Sequence, residues 1–162
     1  MQAYLSKNQM VDAVSFILRS FDLEHPNLAS IHIRENISEK SLLLTAEGPL
    51  KGKQNVHVPS NLFQFDLKLV INLLAHEMLH VRQRDPAAFV EDKNEREFQA
   101  YYEMLFHEIF PRVPDAPKFN QKQFAEKALV YYERMEPGGV LRLKYQQKRE
   151  RIIHLLDQLS LV

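Results

Sequence analysis

The chain has 162 residues, with 45% apolar and 26% charged side chains, 21 Lys and Arg against 21 Asp and Glu, and no cysteine. That length suits one compact domain of ordinary globular composition. The balanced charge gives no basic excess for a nucleic-acid partner, and the lack of cysteine excludes disulfides, thiolate metal ligands and a cysteine nucleophile.

The start, Met1-Gln-Ala-Tyr-Leu-Ser-Lys-Asn, lacks a basic segment followed by an apolar run, so no secretory leader is expected. The longest apolar stretch, 67–79, is interrupted by Lys68, Asn72 and His76, and is too short and polar to span a bilayer. With the absence of cysteine, these features predict a cytoplasmic protein without a membrane partner.

Residues 8–21 place Met10, Val11, Val14, Ile17, Leu18 and Phe21 at helical spacing, and Pro26 follows the end of that pattern. Three short strands are expected next. Residues 29–35 alternate around Ile31 and Ile33, 41–46 form an apolar run, and 55–58 carry Val56 and Val58 on one face. Glu47-Gly48-Pro49 and Lys51-Gly52-Lys53 supply turns between them.

Residues 66–84 read as a long helix, capped by Asn61 or Asp66. It is apolar on nearly every side, which belongs in the middle of a domain. Asp85-Pro86 closes it. A second long helix is expected over 95–109, then a stiff connector with Pro111, Pro114 and Pro117. Helices over 120–135 and 140–159 follow, separated by Pro137-Gly138-Gly139.

Chemistry concentrates at His76-Glu77-Met78-Leu79-His80. Two His at i and i+4 project from one helix face and can hold one Zn²⁺ ion, and the intervening Glu77 can act as general base on water at the metal. The setting is the most apolar helix of the chain, where unpartnered polar side chains would be costly.

A catalytic zinc takes a third protein ligand and keeps one position open. Glu97, separated from His80 by sixteen residues, can approach on a second helix, and Ala100 would let that helix lie close. Glu95 competes but lies about 200° around the helix from Glu97, so only one can face the metal. Glu103 is a further candidate.

His76-Glu77-x-x-His80 followed by Glu97-Phe98-Gln99-Ala100 resembles the gluzincin metallopeptidases, in particular the small minigluzincin type, over about 55–109. The resemblance implies an α+β, zincin-like fold. A small mixed or antiparallel sheet of about three strands would pack on a central His-Glu-x-x-His helix, with a helical C-terminal part. Chain length and the Pro connector give one domain over 1–162, with 1–110 as the expected catalytic core and 119–162 as a helical extension. The resemblance also implies His76, His80 and Glu97 as zinc ligands and a peptide or protein substrate. Many relatives carry Asp or Asn four residues after the ligand Glu, where this chain has Tyr101, and Gly before the second His, where it has Leu79. The orientation of the metal-bound His must therefore be arranged differently here.

The SprT-like proteases use the same His-Glu-x-x-His string with a third His, for which His107 is the one downstream candidate. They often add a cysteine zinc ribbon, which this chain lacks. For the oxyanion donor, Tyr101 is the most economical choice, one turn from Glu97. Tyr102, Tyr145, His107 and His154 are alternatives. In the resembling families an edge strand before the motif helix binds substrate backbone, and Val56-His57-Val58, stopped by Pro59, fits that place. The cations of 142–151 read as a solvated helix face. The alternative reading of the whole chain is a helical binding module, either braced by a non-catalytic metal or metal-free.

Overall fold

The structure, a computed structural model, describes residues 6–35 and 38–161. The Met1–Leu5 stretch read above for a leader lies outside them. Among the described residues, five α-helices and three β-strands follow one another as α1 (Lys7–Ser20), β1 (Leu28–Arg34), β2 (Thr45–Glu47), β3 (Gln54–Pro59), α2 (Leu67–Gln83), α3 (Lys93–Phe106), α4 (Lys118–Arg134) and α5 (Val140–Ser160).

The helix boundaries follow local chemistry. Ser6 opens α1 with a reciprocal capping box, its hydroxyl accepting from Gln9 N–H while the Gln9 amide oxygen accepts from Ser6 N–H. Asp66, not Asn61, caps α2 by accepting from Leu69 N–H, and Asp92 caps α3 by accepting from Glu95 N–H. The α3 helix ends at His107, which takes a left-handed conformation with φ of 46°. Glu103 secures that end, its Oε1 accepting from the backbone N–H of Ile109 at 2.8 Å and of Phe110 at 2.7 Å. Its carboxylate is thus committed to the chain reversal.

The sheet is mixed, with strand order β1-β3-β2. β1 runs parallel to β3, pairing Ile31 with Val56 and Ile33 with Val58, whereas β2 pairs antiparallel to β3 through Ala46 and Val56. This corrects two expectations. Val56-His57-Val58 lies in the central strand, so its backbone is already paired on both sides, and the edges are β1 and Thr45–Glu47. The 41–46 run forms a strand only from Thr45. Leu44 is buried all the same, without strand pairing.

The turn joining β2 to β3 is pulled tight. Gln54 donates from its side chain to the carbonyls of Pro49 at 2.7 Å and Gly52 at 2.9 Å. A Cβ at Gly48 would lie 2.6 Å from the Lys53 carbonyl oxygen, so only glycine fits there. Asn27 joins this turn to α2, donating to Gly52 O at 3.0 Å and Val81 O at 2.8 Å.

Two apolar clusters result. One packs Val14, Ile17 and Leu18 of α1, Val56 and Val58 of β3, and Val70, Leu74, Ala75 and Met78 of α2. The other packs Phe98 and Tyr102 of α3 against Phe124 and Ala128 of α4 and Tyr145 and Ile152 of α5. Helix α2 therefore lies between the sheet and the helical layer, as its all-round apolar sequence requires. The 111–117 connector is tied to it, since Asn72 donates to Pro114 O at 2.8 Å.

The cations of α5 form ion pairs on the protein surface. Arg142 and Arg149 pair with Glu133, Lys144 with Glu95, and Lys148 and Arg151 with Glu108. No helix among the described residues is long and apolar enough to cross a membrane.

Candidate metal centre

His76 and His80 sit one turn apart on the second half of α2, and Glu97 sits on the second turn of α3. The two helices cross so that all three side chains converge. Nε2 of His76 and Nε2 of His80 are 3.1 Å apart, and Oε2 of Glu97 is 3.5 Å from each. Their ligand-type atoms all lie within 4.8 Å of one another, so this group could hold a metal ion. Ala100, fully buried one turn below Glu97, allows the close approach of α3.

Glu95 faces elsewhere. Its Oε1 accepts from Tyr145 O–H at 2.6 Å and from Lys144 Nζ at 2.7 Å, on the α5 side of α3. That is the consequence of the 200° separation from Glu97. His107 is also outside the group, with Nε2 3.4 Å from Asp115. Glu103 is occupied at the end of α3. Of the proposed third ligands, only Glu97 joins the two histidines.

The electrostatics follow from burial. His76 has its pKa lowered to about 4 because burial penalises the imidazolium. Burial pulls His80 down too, but its hydrogen bond to Glu97 and the charges of Glu77 and Glu97 outweigh that, leaving it raised. Burial pushes Glu97 up, but the two histidines outweigh it and hold the carboxyl well below the usual range. Within the group, His80 and Glu97 therefore favour their charged forms and His76 its neutral form.

Glu77 is 8% exposed, and burial raises its pKa to about 7. The backbone of Ala46, on edge strand β2, hydrogen-bonds its carboxylate. Tyr101 packs its ring edge-on to His76, with centroids 4.7 Å apart, and stacks on Tyr131 of α4 at 5.9 Å. Burial and the Glu97 charge raise Tyr101 to about 12, so it keeps its O–H at neutral pH.

The other tyrosines suggested as oxyanion donors lie apart. Tyr145 is bonded to Glu95, and Tyr102 donates to Glu108. His154 bonds Gln158 on the far side of α5.

The orienting group for His80 is Gln83, one turn further along α2. His80 Nδ1 is 2.8 Å from Gln83 Oε1. The Gln83 amide nitrogen donates to Arg96 O at 3.1 Å and to Gln99 Oε1 at 2.8 Å. Its oxygen therefore faces His80, whose Nδ1 must carry a proton, and in the neutral ring this leaves the Nε2 lone pair for the convergence point. Gln99 in turn donates to the Tyr145 hydroxyl at 2.5 Å, so the chain of bonds ends on Glu95. This amide chain stands where the expected Asp or Asn at position 101 is absent.

The donors open into a cleft of about 500 Å³ bounded by Leu44, Thr45 and Ala46 on one side, Tyr101 and Tyr131 on another, and Arg84, Lys93 and Arg96 on a third. Neither the β2 edge, nor Tyr131, nor the cationic wall was expected. The i, i+3 spacing of His80 and Gln83 was the one signal available for the orienting amide. Comparison with protein-family models, with curated proteins and with solved structures found no match to this chain.

Proposed function

We propose that the chain is a zinc-dependent metallopeptidase of the gluzincin kind, zincin-like in its packing, acting on a peptide or protein substrate. The observation that carries this reading is the convergence of His76, His80 and Glu97 beside the buried carboxyl of Glu77 in an open cleft.

Zinc fits the donor set. A tetrahedral ion with ligands at about 2.0–2.2 Å separates neighbouring ligand atoms by about 3.3–3.5 Å. The observed separations are 3.1, 3.5 and 3.5 Å. Two neutral imidazoles and one carboxylate, with no sulfur, match a catalytic zinc set.

Zinc, when bound, would polarise the scissile carbonyl and lower the pKa of a water molecule. Glu77 would take a proton from that water and pass it to the leaving amine. A carboxyl raised to about 7 exchanges protons readily near neutral pH. Tyr101, still protonated, would donate its O–H to the developing oxyanion. Thr45–Glu47 is an edge strand of the sheet and Thr45 and Ala46 line the cleft, so an extended peptide could add there as a further strand.

The competing reading is a non-catalytic metal brace, favoured by the ligands coming from two helices. Glu77 weighs against it, since a brace has no use for a buried carboxyl with a raised pKa. Glu77→Gln decides between them. The peptidase reading requires hydrolysis of an unstructured protein such as casein to fall about 10²–10⁴-fold with zinc content unchanged. A zinc-loaded wild type that hydrolyses no such substrate, or a variant as active as wild type, would refute it.

A further inference from the structure

The cleft wall formed by Arg84, Lys93 and Arg96 has no part in the metal centre. Arg84 caps the C-terminus of α2, Lys93 begins α3, and Arg96 is the neighbour of Glu97, so the α2–α3 corner gathers three cations from positions scattered over 84–96. None of the three forms an ion pair with a carboxylate among the described residues.

Arg96 is the most telling. It is 9% exposed, and its Nη1 donates to the backbone carbonyls of Val90 at 2.9 Å and Glu91 at 2.6 Å. The guanidinium is thus fixed in place, yet its charge is unmatched, an arrangement that costs stability when no anion is near. Arg84 stands close enough that burial and then the Arg96 charge both lower its pKa. Like charges held together at a cleft, in a chain with net charge zero, are a site for an anion. The two acidic groups of the cleft, Glu77 and Glu97, are committed to the metal centre and leave the wall uncompensated.

We propose that Arg84, Lys93 and Arg96 form a carboxylate subsite of the cleft, which selects peptides carrying an anionic group on the α2–α3 side of the cleavage point. This rests on the peptidase reading above. A carboxylate there can accept charge-assisted hydrogen bonds from guanidinium groups. It reaches the wall from one of two sources, an Asp or Glu side chain or the C-terminal carboxylate of a short peptide.

The test uses pools of random heptapeptides made with a free or amidated C-terminus, each with or without Asp and Glu. They are equilibrated with zinc-loaded Glu77→Gln protein, and retained peptides are quantified by mass spectrometry at low and high salt. The expected result is retention of anionic pools about 10–100-fold above the neutral amidated pool, as for hydrogen bonds to charged groups. That advantage should fall with salt and be lost when Arg84→Gln and Lys93→Gln are added. Arg96 is left intact because its bonds to Val90 and Glu91 hold the loop.

Enrichment confined to free C-termini assigns the terminal carboxylate, and enrichment of internal Asp or Glu assigns the side chain. Equal retention of the neutral pool, retention of no pool, or an advantage that survives the Arg84 and Lys93 substitutions overturns the subsite. Digestion of the same pools by the wild type separates the two claims. Cleavage without anionic preference removes the subsite and leaves the peptidase. Anionic retention without cleavage does the reverse.

Discussion

Replacing Gln83 by Leu tests whether an amide relay orients the metal-binding imidazole. Gln83 is 3% exposed, and a leucine of similar volume keeps the packing while deleting three hydrogen bonds. His80 Nδ1 loses its acceptor, and the Arg96 carbonyl and Gln99 Oε1 lose their donor. Buried groups orphaned in this way cost about 1–3 kcal/mol each. His80 and Gln99 are half-buried and can regain water, so the metal-free protein should lose about 1–3 kcal/mol in total. The ring of His80 is then free to move its proton to Nε2, the nitrogen required at the convergence point. Loss of such a supporting contact weakens metal binding by about 10–100-fold, or about 1.4–2.7 kcal/mol. Zinc affinity is read by competition with a chromophoric chelator, and the tautomer by ¹⁵N chemical shifts of the His80 ring in metal-free protein. Gln83→Glu supplies the control, since it keeps an acceptor for His80 while losing the donors. It should bind zinc nearly as wild type but unfold at lower temperature. Zinc affinity and ring shifts unchanged in Gln83→Leu would refute the relay.

Other consequences are open to simpler assays. Glu95→Gln should lower thermal stability by removing a charge shared with Lys144 and Tyr145, while leaving zinc content at the wild-type level; measuring both in one preparation checks the assignment of Glu97 over Glu95. Tyr101→Phe should reduce turnover about 10–10³-fold with little change in zinc affinity, the pattern of a lost oxyanion donor.

In the metal-free protein the pH dependence of stability should carry two opposing slopes. The raised Glu77 binds a proton in the folded state that it has released in the unfolded state, so its contribution is present below about pH 4.5 and lost as pH rises towards 7. The lowered His76 works in the other sense, destabilising the fold as pH falls from 6.5 to about 4. Between about pH 4.5 and 6.5 the two nearly cancel. Denaturant titrations should therefore be flat there for the wild type, from these two groups, and gain stability with rising pH in Glu77→Gln by up to about 1.4 kcal/mol per pH unit. Parallel profiles for the two proteins would contradict the burial of the Glu77 carboxyl.

Much of this arrangement was legible in the sequence, and the exceptions have physical causes. Helix α2 announced itself because its apolar residues cover every face, and the structure places it between sheet and helices. His76, Glu77 and His80 were legible because their spacing is fixed within one helix. Helical rotation showed that Glu97 and Glu95 could not both face α2, but which one does became plain only where Glu95 turns to Lys144 and Tyr145. The role of Val56-His57-Val58 was misjudged because β3 inserts beside β1, ahead of β2 in the sheet although after it in the chain, which no local pattern reports. Ser41 to Leu44 has strand-like composition, but β3 offers partners only to Thr45–Glu47, so Leu44 is buried without a ladder. Gln83 carries no special signal, because a glutamine near a helix end is commonplace. The cationic wall exists only once the turn after α2 brings Arg84 against Arg96.

The central claim is that His76, His80 and Glu97 together hold one zinc ion. The most direct test is the metal content of untagged protein by elemental analysis, with His76→Ala and Glu97→Ala prepared alongside. About one zinc per chain is expected in the wild type and none in either variant, with circular dichroism showing that the variants remain folded. A folded wild type that takes up no zinc when it is supplied, or a Glu97→Ala protein that keeps a full complement, would contradict it.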